Sequence, residues 1–205
     1  MAYMRYGARM ARRADSEKKP ALLERIIDHL VDKPLSALSF RTLAAALDVS
    51  TFTLVYHFGT RSELIRDIVV AIAHRQRGFS SLLDVDTLTL DSYLAELQEA
   101  FELTLNPRGR ALQRLEFEAQ MLESLEDQSD AVTREVHENL QQGGRDALVA
   151  LGLSVEDATI ESRLLVDIFY GIQVGLVVND DITRATEAFT RAMEQHRDRI
   201  IALSS

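Results

Sequence analysis

Residues 38–64, LSFRTLAAALDVSTFTLVYHFGTRSEL, gather side chains whose types and spacing suit contact with a polyanion. The segment reads as two short helices, about 40–47 and 51–57, joined by a turn at Asp48, with Ser50 placed to cap the second. A helix capped there projects Thr51, Phe52, Thr53, Tyr56 and His57 outward. Hydroxyls, rings and the backbone amides of a helix start suit phosphates and base edges in a major groove. Three positions in a row, Ala44, Ala45 and Ala46, leave room for the helices to cross closely, while Leu43, Leu47, Val49, Leu54 and Phe58 supply the wedge between them. The turn residue must enter the left-handed region, where glycine fits best and aspartate is tolerated. Singly, each residue has a plain alternative: Arg41 a solvated cation, His57 a structural histidine, the alanine run ordinary helix. At this spacing, and followed by Arg61 and Leu64, a chance match is improbable.

Charge counted by segment agrees with that chemistry. Residues 1–61 hold ten cations against six carboxylates, so a net charge of -9 for the whole chain leaves -13 on the remainder. A basic head on an acidic body would hold one end against a polyanion while the other is repelled. Residues 1–19, with Arg5, Arg9, Arg12 and Arg13, read as a basic, flexible arm. With 205 residues, 46% of them hydrophobic, the chain can bury a substantial core, and wholesale disorder is excluded. There is no cysteine, which removes disulfides, thiol catalysis and cysteine-ligated metals. No apolar run approaches the ~18 residues of a membrane span, and the first residues lack the apolar core of a signal peptide. The expected setting is the cytoplasm, with no membrane partner.

The elements that must position these residues are helical throughout. Apolar residues recur at helical spacing, as in Leu23, Ile26, Ile27, Leu30 and Val31, and no period-2 strand stands out. A first helix is predicted from near Ser16 to Lys33, ahead of Pro34. A fourth begins at Ser62 and runs to about Gly78, followed by a linker over 79–90, a fifth helix over 91–105 and, after Asn106-Pro107, a sixth to about Leu125. The seventh starts near Ser129 and should bend or break at Gly143-Gly144, since two adjacent glycines cost about 2 kcal/mol of helix stability. Helices over 155–178 and 183–203, joined by Asn179-Asp180-Asp181, should pack as an antiparallel pair. The expected architecture is all-α: a three-helix helix-turn-helix domain over 20–61 and a larger helical domain over 62–205, linked by the helix over 62–78.

With these residues in place, the segment resembles the DNA-binding domain of the TetR family of bacterial transcriptional regulators. VSTFTLVYHFGTRSEL carries the family's Val-Ser, Thr-Leu pair, aromatic-His-Phe cluster, small turn, basic residue and Leu. The likeness is specific over about residues 20–70 and architectural beyond. It implies that Arg41 reads bases, that Thr53, Tyr56 and His57 meet backbone or groove, and that Arg61 binds phosphate. Two positions depart: Asp48 replaces the usual turn glycine, and Val55 stands where many members carry a phosphate-binding tyrosine, leaving Tyr56 as the donor.

The resemblance further implies that the acidic body holds a ligand pocket and a dimer interface. Candidates for the pocket are Phe101, Leu105, Phe117, Met121, Phe169, Tyr170 and Gln173, aromatic and flexible side chains with a few polar handles. For the interface the candidates are Leu164, Ile168, Gly171, Gly175 and Val178 with Phe189 and Met193; the competing reading packs those glycines against the last helix within one subunit. No cofactor or metal is expected, and no catalytic residue: GxSxG, HExxH and phosphate-cradling loops are absent, and His74, His137 and His196 fall on separate predicted helices. The implied function is that of a homodimeric repressor of near-palindromic double-stranded DNA, released by a small-molecule effector. The alternative is a helical enzyme or small-molecule carrier whose helix-turn-helix is vestigial.

Overall fold

The computed structural model describes residues 18–76, 87–123 and 132–204. The basic arm over 1–17, most of the linker expected over 79–90, and the expected ends near Ser16, Gly78, Leu125 and Ser129 lie outside them. Among the described residues every regular element is helical: α1 over 18–30, then α2 (Phe40–Leu47), α3 (Thr51–Phe58), α4 (Arg61–Gln76), α5 (Leu90–Leu105), α6 (Pro107–Glu123), α7 (Val132–Ala150), α8 (Val155–Asn179) and α9 (Ile182–Leu203). The chain divides into two compact units, one ending at Val69 and the other beginning at Val70, so the division falls inside α4.

In the first unit α1 stops at Leu30, three residues short of the expected Lys33. The Lys33 amide turns back to the Leu30 carbonyl at 3.0 Å, and the Lys33 ammonium reaches the His29 carbonyl at 3.0 Å, so the last carbonyls are met without a further helical turn. A 3-10 turn, Leu35–Ala37, follows. Leu22, Ile26, Ile27 and Leu30 of α1 are buried, as are Leu43 and Leu47 of α2, Leu54 and Phe58 of α3, and Leu64, Ile65 and Ile68 of α4. Each set repeats at three or four residues, so one face of each helix is withdrawn from water. Of the three adjacent alanines only Ala44 is buried; Ala45 and Ala46 face solvent, because one helix face can meet only one neighbour. Val49, expected in the wedge, is half-buried.

In the second unit α8 packs against α6, α7 and α9, while α5 packs against α6 and α9. Its core joins Tyr93, Leu97 and Phe101 of α5 to Leu148, Leu165, Leu176, Phe189 and Ile200. Asn106 is extended at the α5–α6 junction, and its side-chain oxygen accepts from the Gly109 amide at 2.9 Å, so one residue ends α5 and caps α6. The α8–α9 turn needs only Asp180, in the left-handed region at φ 52°, and Asp181, whose carboxylate caps α9 by accepting from the Arg184 amide at 3.0 Å.

The expected break at Gly143-Gly144 does not occur: α7 runs unbroken from Val132 to Ala150. A Cβ on Gly144 would lie 2.5 Å from Ser162 Oγ, and that hydroxyl donates to the Gln141 carbonyl at 2.6 Å. The glycine serves close approach of α7 and α8, and packing against α8 outweighs its low helix propensity.

Candidate functional site

The α2–α3 pair is built by caps at both helix starts. Ser39 accepts from the Thr42 amide at 3.2 Å, and Ser50 accepts from the Thr53 amide at 3.0 Å. Between them Asp48 stands at φ 51°, ψ 51°, and the amides of Asp48 and Val49 both return to the Ala44 carbonyl. Arg25 of α1 donates to the Leu47 carbonyl, so the end of α2 is held from a second helix. Gly59 closes α3 at φ 67°. Thr60, not the expected Ser62, caps α4, which begins at Arg61: the Thr60 amide donates to Glu63 at 2.7 Å and the Glu63 amide to the Thr60 hydroxyl at 3.2 Å. Those Thr60 donors hold the Glu63 carboxyl below the usual carboxylate range.

On this scaffold Thr51, Phe52 and Tyr56 face outward, with Phe52 76% and Tyr56 63% exposed. Their rings are near-parallel at 6.4 Å, and His57, half-buried, meets Tyr56 edge-on at 5.0 Å. The Thr53 hydroxyl is 2.8 Å from Ser50 Oγ and takes part in the cap. Arg41 is exposed near the start of α2. Arg61 is tied inward: its guanidinium donates to the carbonyls of Leu38 at 3.0 Å and Leu35 at 3.3 Å. Phe52 and Val55 are large apolar side chains left in solvent on a helix whose other face is buried, an arrangement that stability alone does not ask for.

The second unit holds a cavity of about 100 Å³, partly open to solvent, between α5, α6, α7 and α8. Phe169, Tyr170 and Gln173 line it, joined by Tyr93, Thr104, Gln113 and Ser162 as further polar groups and by Leu97, Leu140, Leu165 and Val166 as walls. Four of the expected pocket residues stand elsewhere. Phe101 is fully buried in the core, Leu105 packs against that core, Phe117 is half-buried with its ring 5.9 Å from Tyr170, and Met121 is 65% exposed. Aromatic type alone could not distinguish a core ring from a cavity wall, and Thr104, Gln113 and Ser162 carry no sequence signal beyond polarity on an otherwise apolar face.

Behind Tyr93 lies a buried polar cluster that the spacing of the histidines did not disclose. The Tyr93 hydroxyl and His196 Nε2 share a hydrogen bond at 3.2 Å, His196 Nδ1 is 3.4 Å from Glu161 Oε2, and Arg199 donates to both Glu161 oxygens at 2.8 and 3.0 Å. Nδ1 has no hydrogen bond. Burial pushes the His196 imidazole below its ordinary value against the pull of Glu161, and burial also pushes the Tyr93 phenol up. Among the described residues no three histidine or carboxylate side chains converge as a metal site.

Along α8, Leu164, Gly171 and Val178 are exposed and Ile168 and Gly175 half-buried, with Ile160 and Val174 extending the exposed apolar stripe. Nothing lies within 4 Å of where a Cβ on Gly171 or Gly175 would stand, so neither glycine packs against α9. Two of the expected interface residues belong to the chain's own interior: Phe189 is buried against Phe101, and Met193 packs on the same core. Ring size and helical register placed Phe189 on a stripe, but the inward side of that stripe is where the core needs volume.

No family model matches the sequence, and no curated protein matches it either. Solved structures do match along most of the chain. A TetR transcriptional regulator from Legionella pneumophila superposes with a TM-score of 0.64 at 17% identity, over 87% of this chain and 94% of that one. A TetR-family transcriptional regulator from Pectobacterium atrosepticum gives 0.59 at 14% identity, over 94% of both chains. The multidrug binding protein EbrR, solved in complex with imidazole, gives 0.57 at 23% identity, over 85% and 89%. The chain has the all-α fold of TetR-family transcriptional regulators, and no helix among its described residues is long and apolar enough to cross a membrane.

Proposed function

We propose that this chain is a ligand-responsive transcriptional repressor that binds near-palindromic double-stranded DNA as a homodimer. The observation that carries the reading is the outward face of α3, where Thr51, Phe52 and Tyr56 stand in solvent on a doubly capped helix pair, with Arg41 exposed near the start of α2. In a major groove, hydroxyls and ring edges at the start of a helix meet phosphates and base edges, and an arginine reads guanine. Arg61, committed to the Leu35 and Leu38 carbonyls, would act chiefly by fixing the turn that carries α2. The apolar stripe of α8, with its two uncovered glycines, fits a two-fold pairing of copies, which would set two recognition helices about 34 Å apart. The cavity of the second unit is the natural effector site, and EbrR, of the same fold, is a multidrug binding protein. An effector that fits better when the recognition helices are misplaced would lower DNA affinity by a coupling of about 1–3 kcal/mol.

The test is fluorescence anisotropy of the protein with DNA from around its own gene, at two salt concentrations, beside a nonspecific duplex. Saturable, salt-sensitive binding to one near-palindromic fragment, weakened by roughly 1–3 kcal/mol in Arg41→Ala or Tyr56→Ala, is the expected result. Equal binding to every duplex, with neither substitution mattering, and an empty genome-wide selection would overturn the reading.

A further inference from the structure

Gln173 sits on α8 in the cavity wall, 5% exposed, and its carboxamide makes no hydrogen bond among the described residues. The other polar side chains around that space are committed. Thr104 donates to the Phe101 carbonyl at 2.6 Å, Ser162 to the Gln141 carbonyl at 2.6 Å, and Tyr93 pairs with His196. Tyr170 donates to Glu116 at 3.0 Å, and Gln113 donates to the same carboxylate at 3.2 Å. The amide atoms of Gln173 are not among the buried polar atoms that lack a partner, so they stay open to the cavity, where an occupant can meet both the N–H and the C=O. An occupant that makes both bonds at once exchanges water for a matched donor and acceptor.

The geometry points to a small, flat, uncharged ring carrying an adjacent N–H and C=O edge, a lactam or cyclic amide, as the ligand of this cavity, with Gln173 pairing to that edge and setting specificity. Size follows from the volume: about 100 Å³ is on the scale of the ~150 Å³ cavities that take up a benzene ring. The lining contributes no charged side chain, so an ion would enter without a counter-charge on the wall. Glu116, close behind, already accepts from Tyr170, Gln113 and Gln120. Leu97, Leu140, Leu165, Val166 and Phe169 offer apolar contact to the ring faces. A carboxamide facing an N–H/C=O edge makes two parallel bonds, donor to acceptor on each side, which neither a hydrocarbon nor a single-donor ring can repeat. Calling this ligand an effector rests on the regulatory reading above; its chemistry does not.

The experiment is a calorimetric titration of the full chain with four flat aromatic probes: 2-pyridone, toluene, benzamidinium and benzoate. The Gln173 side-chain amide resonances are followed by NMR alongside. Wild type should prefer 2-pyridone to toluene by tenfold or more, reject both ions, and shift the Gln173 amide signals on binding. Gln173→Met, which keeps length and removes the amide, should still take toluene and lose the preference. Gln173→Asn, should the methionine variant fail to fold, withdraws the amide and should weaken 2-pyridone alone. The inference is overturned if toluene binds as well as 2-pyridone, if an ion is preferred, if the preference survives in Gln173→Met, or if no probe binds and the site holds only water. DNA plays no part in the readout. A protein that binds its operator yet prefers toluene defeats this inference alone, and one that selects 2-pyridone yet binds no DNA defeats the regulatory reading alone.

Discussion

Phe101 and Phe189 stack on each other with ring centroids 4.1 Å apart and planes within 2°, and Phe169 stands edge-on to both. The stack ties α5 to α9 at the centre of the second unit. Phe189→Ala should cost about 3–5 kcal/mol in denaturant unfolding, and a double-mutant cycle with Phe101 should show a coupling of about 0.5–1.5 kcal/mol. Val178, 73% exposed at the end of α8, makes the contrast. On the proposed pairing of copies through α8, Val178→Asp should leave helix content intact and shift sedimentation velocity toward the monomer.

Gly144 and Ser162 are matched in a second way. Gly144→Ala would push the Ser162 hydroxyl off the Gln141 carbonyl, losing about 1 kcal/mol of hydrogen bond and straining the α7–α8 contact, against about 1 kcal/mol gained in helix propensity. The net expectation is a destabilisation of about 1 kcal/mol. In a Ser162→Ala background the nearest remaining atom is the residue 162 Cβ at 3.4 Å, so the same substitution should become neutral or stabilising. Urea midpoints of the four proteins read that change of sign directly.

Asp48 holds left-handed backbone where a Cβ is disfavoured by about 1–2 kcal/mol. Asp48→Gly should raise stability by up to about 1 kcal/mol, the extra chain entropy of glycine offsetting part of the relief. Asp48→Val should lower it by more than that. Thermal melts of the three proteins decide the order, and DNA affinity should follow foldedness without a separate loss.

His196 makes stability depend on pH. Its imidazole is held below the ordinary value of about 6.5 by burial and by Arg199, with Glu161 opposing, and Tyr93 is its other polar neighbour. The unfolded chain therefore takes up a proton that the folded chain resists, so stability is full above about pH 6.5 and falls as pH drops below it. The pH slope of unfolding free energy between about pH 7 and 5 should flatten in His196→Gln, whatever that substitution does to stability at neutral pH.

Much of the first unit was legible in the residues. Ser39, Ser50 and Asp48 carry their geometry in local chemistry, because a cap or a left-handed turn is decided within four residues. The outward positions of Phe52 and Tyr56 follow from the same register. Where Arg61 reaches was not legible, since its carbonyl partners lie 23 and 26 residues away. The cavity was half legible: Phe169, Tyr170 and Gln173 lie along one face of α8, whereas Thr104, Gln113 and Ser162 join them only through helix packing.

What the amino-acid sequence determined by itself is the local grammar: the helices, their caps, the turn at Asp48, the α8–α9 reversal, and a basic segment that presents aromatic and hydroxyl groups. Each of these rests on interactions between near neighbours, whose energies a one-dimensional pattern records. Tertiary structure alone decided that Gly143-Gly144 lies within an unbroken helix, that Phe101 and Phe189 meet in the core, and that Gln173 is left without a partner beside a cavity. Those outcomes depend on which faces pack together, and packing is settled by volumes and distances among residues far apart in the chain.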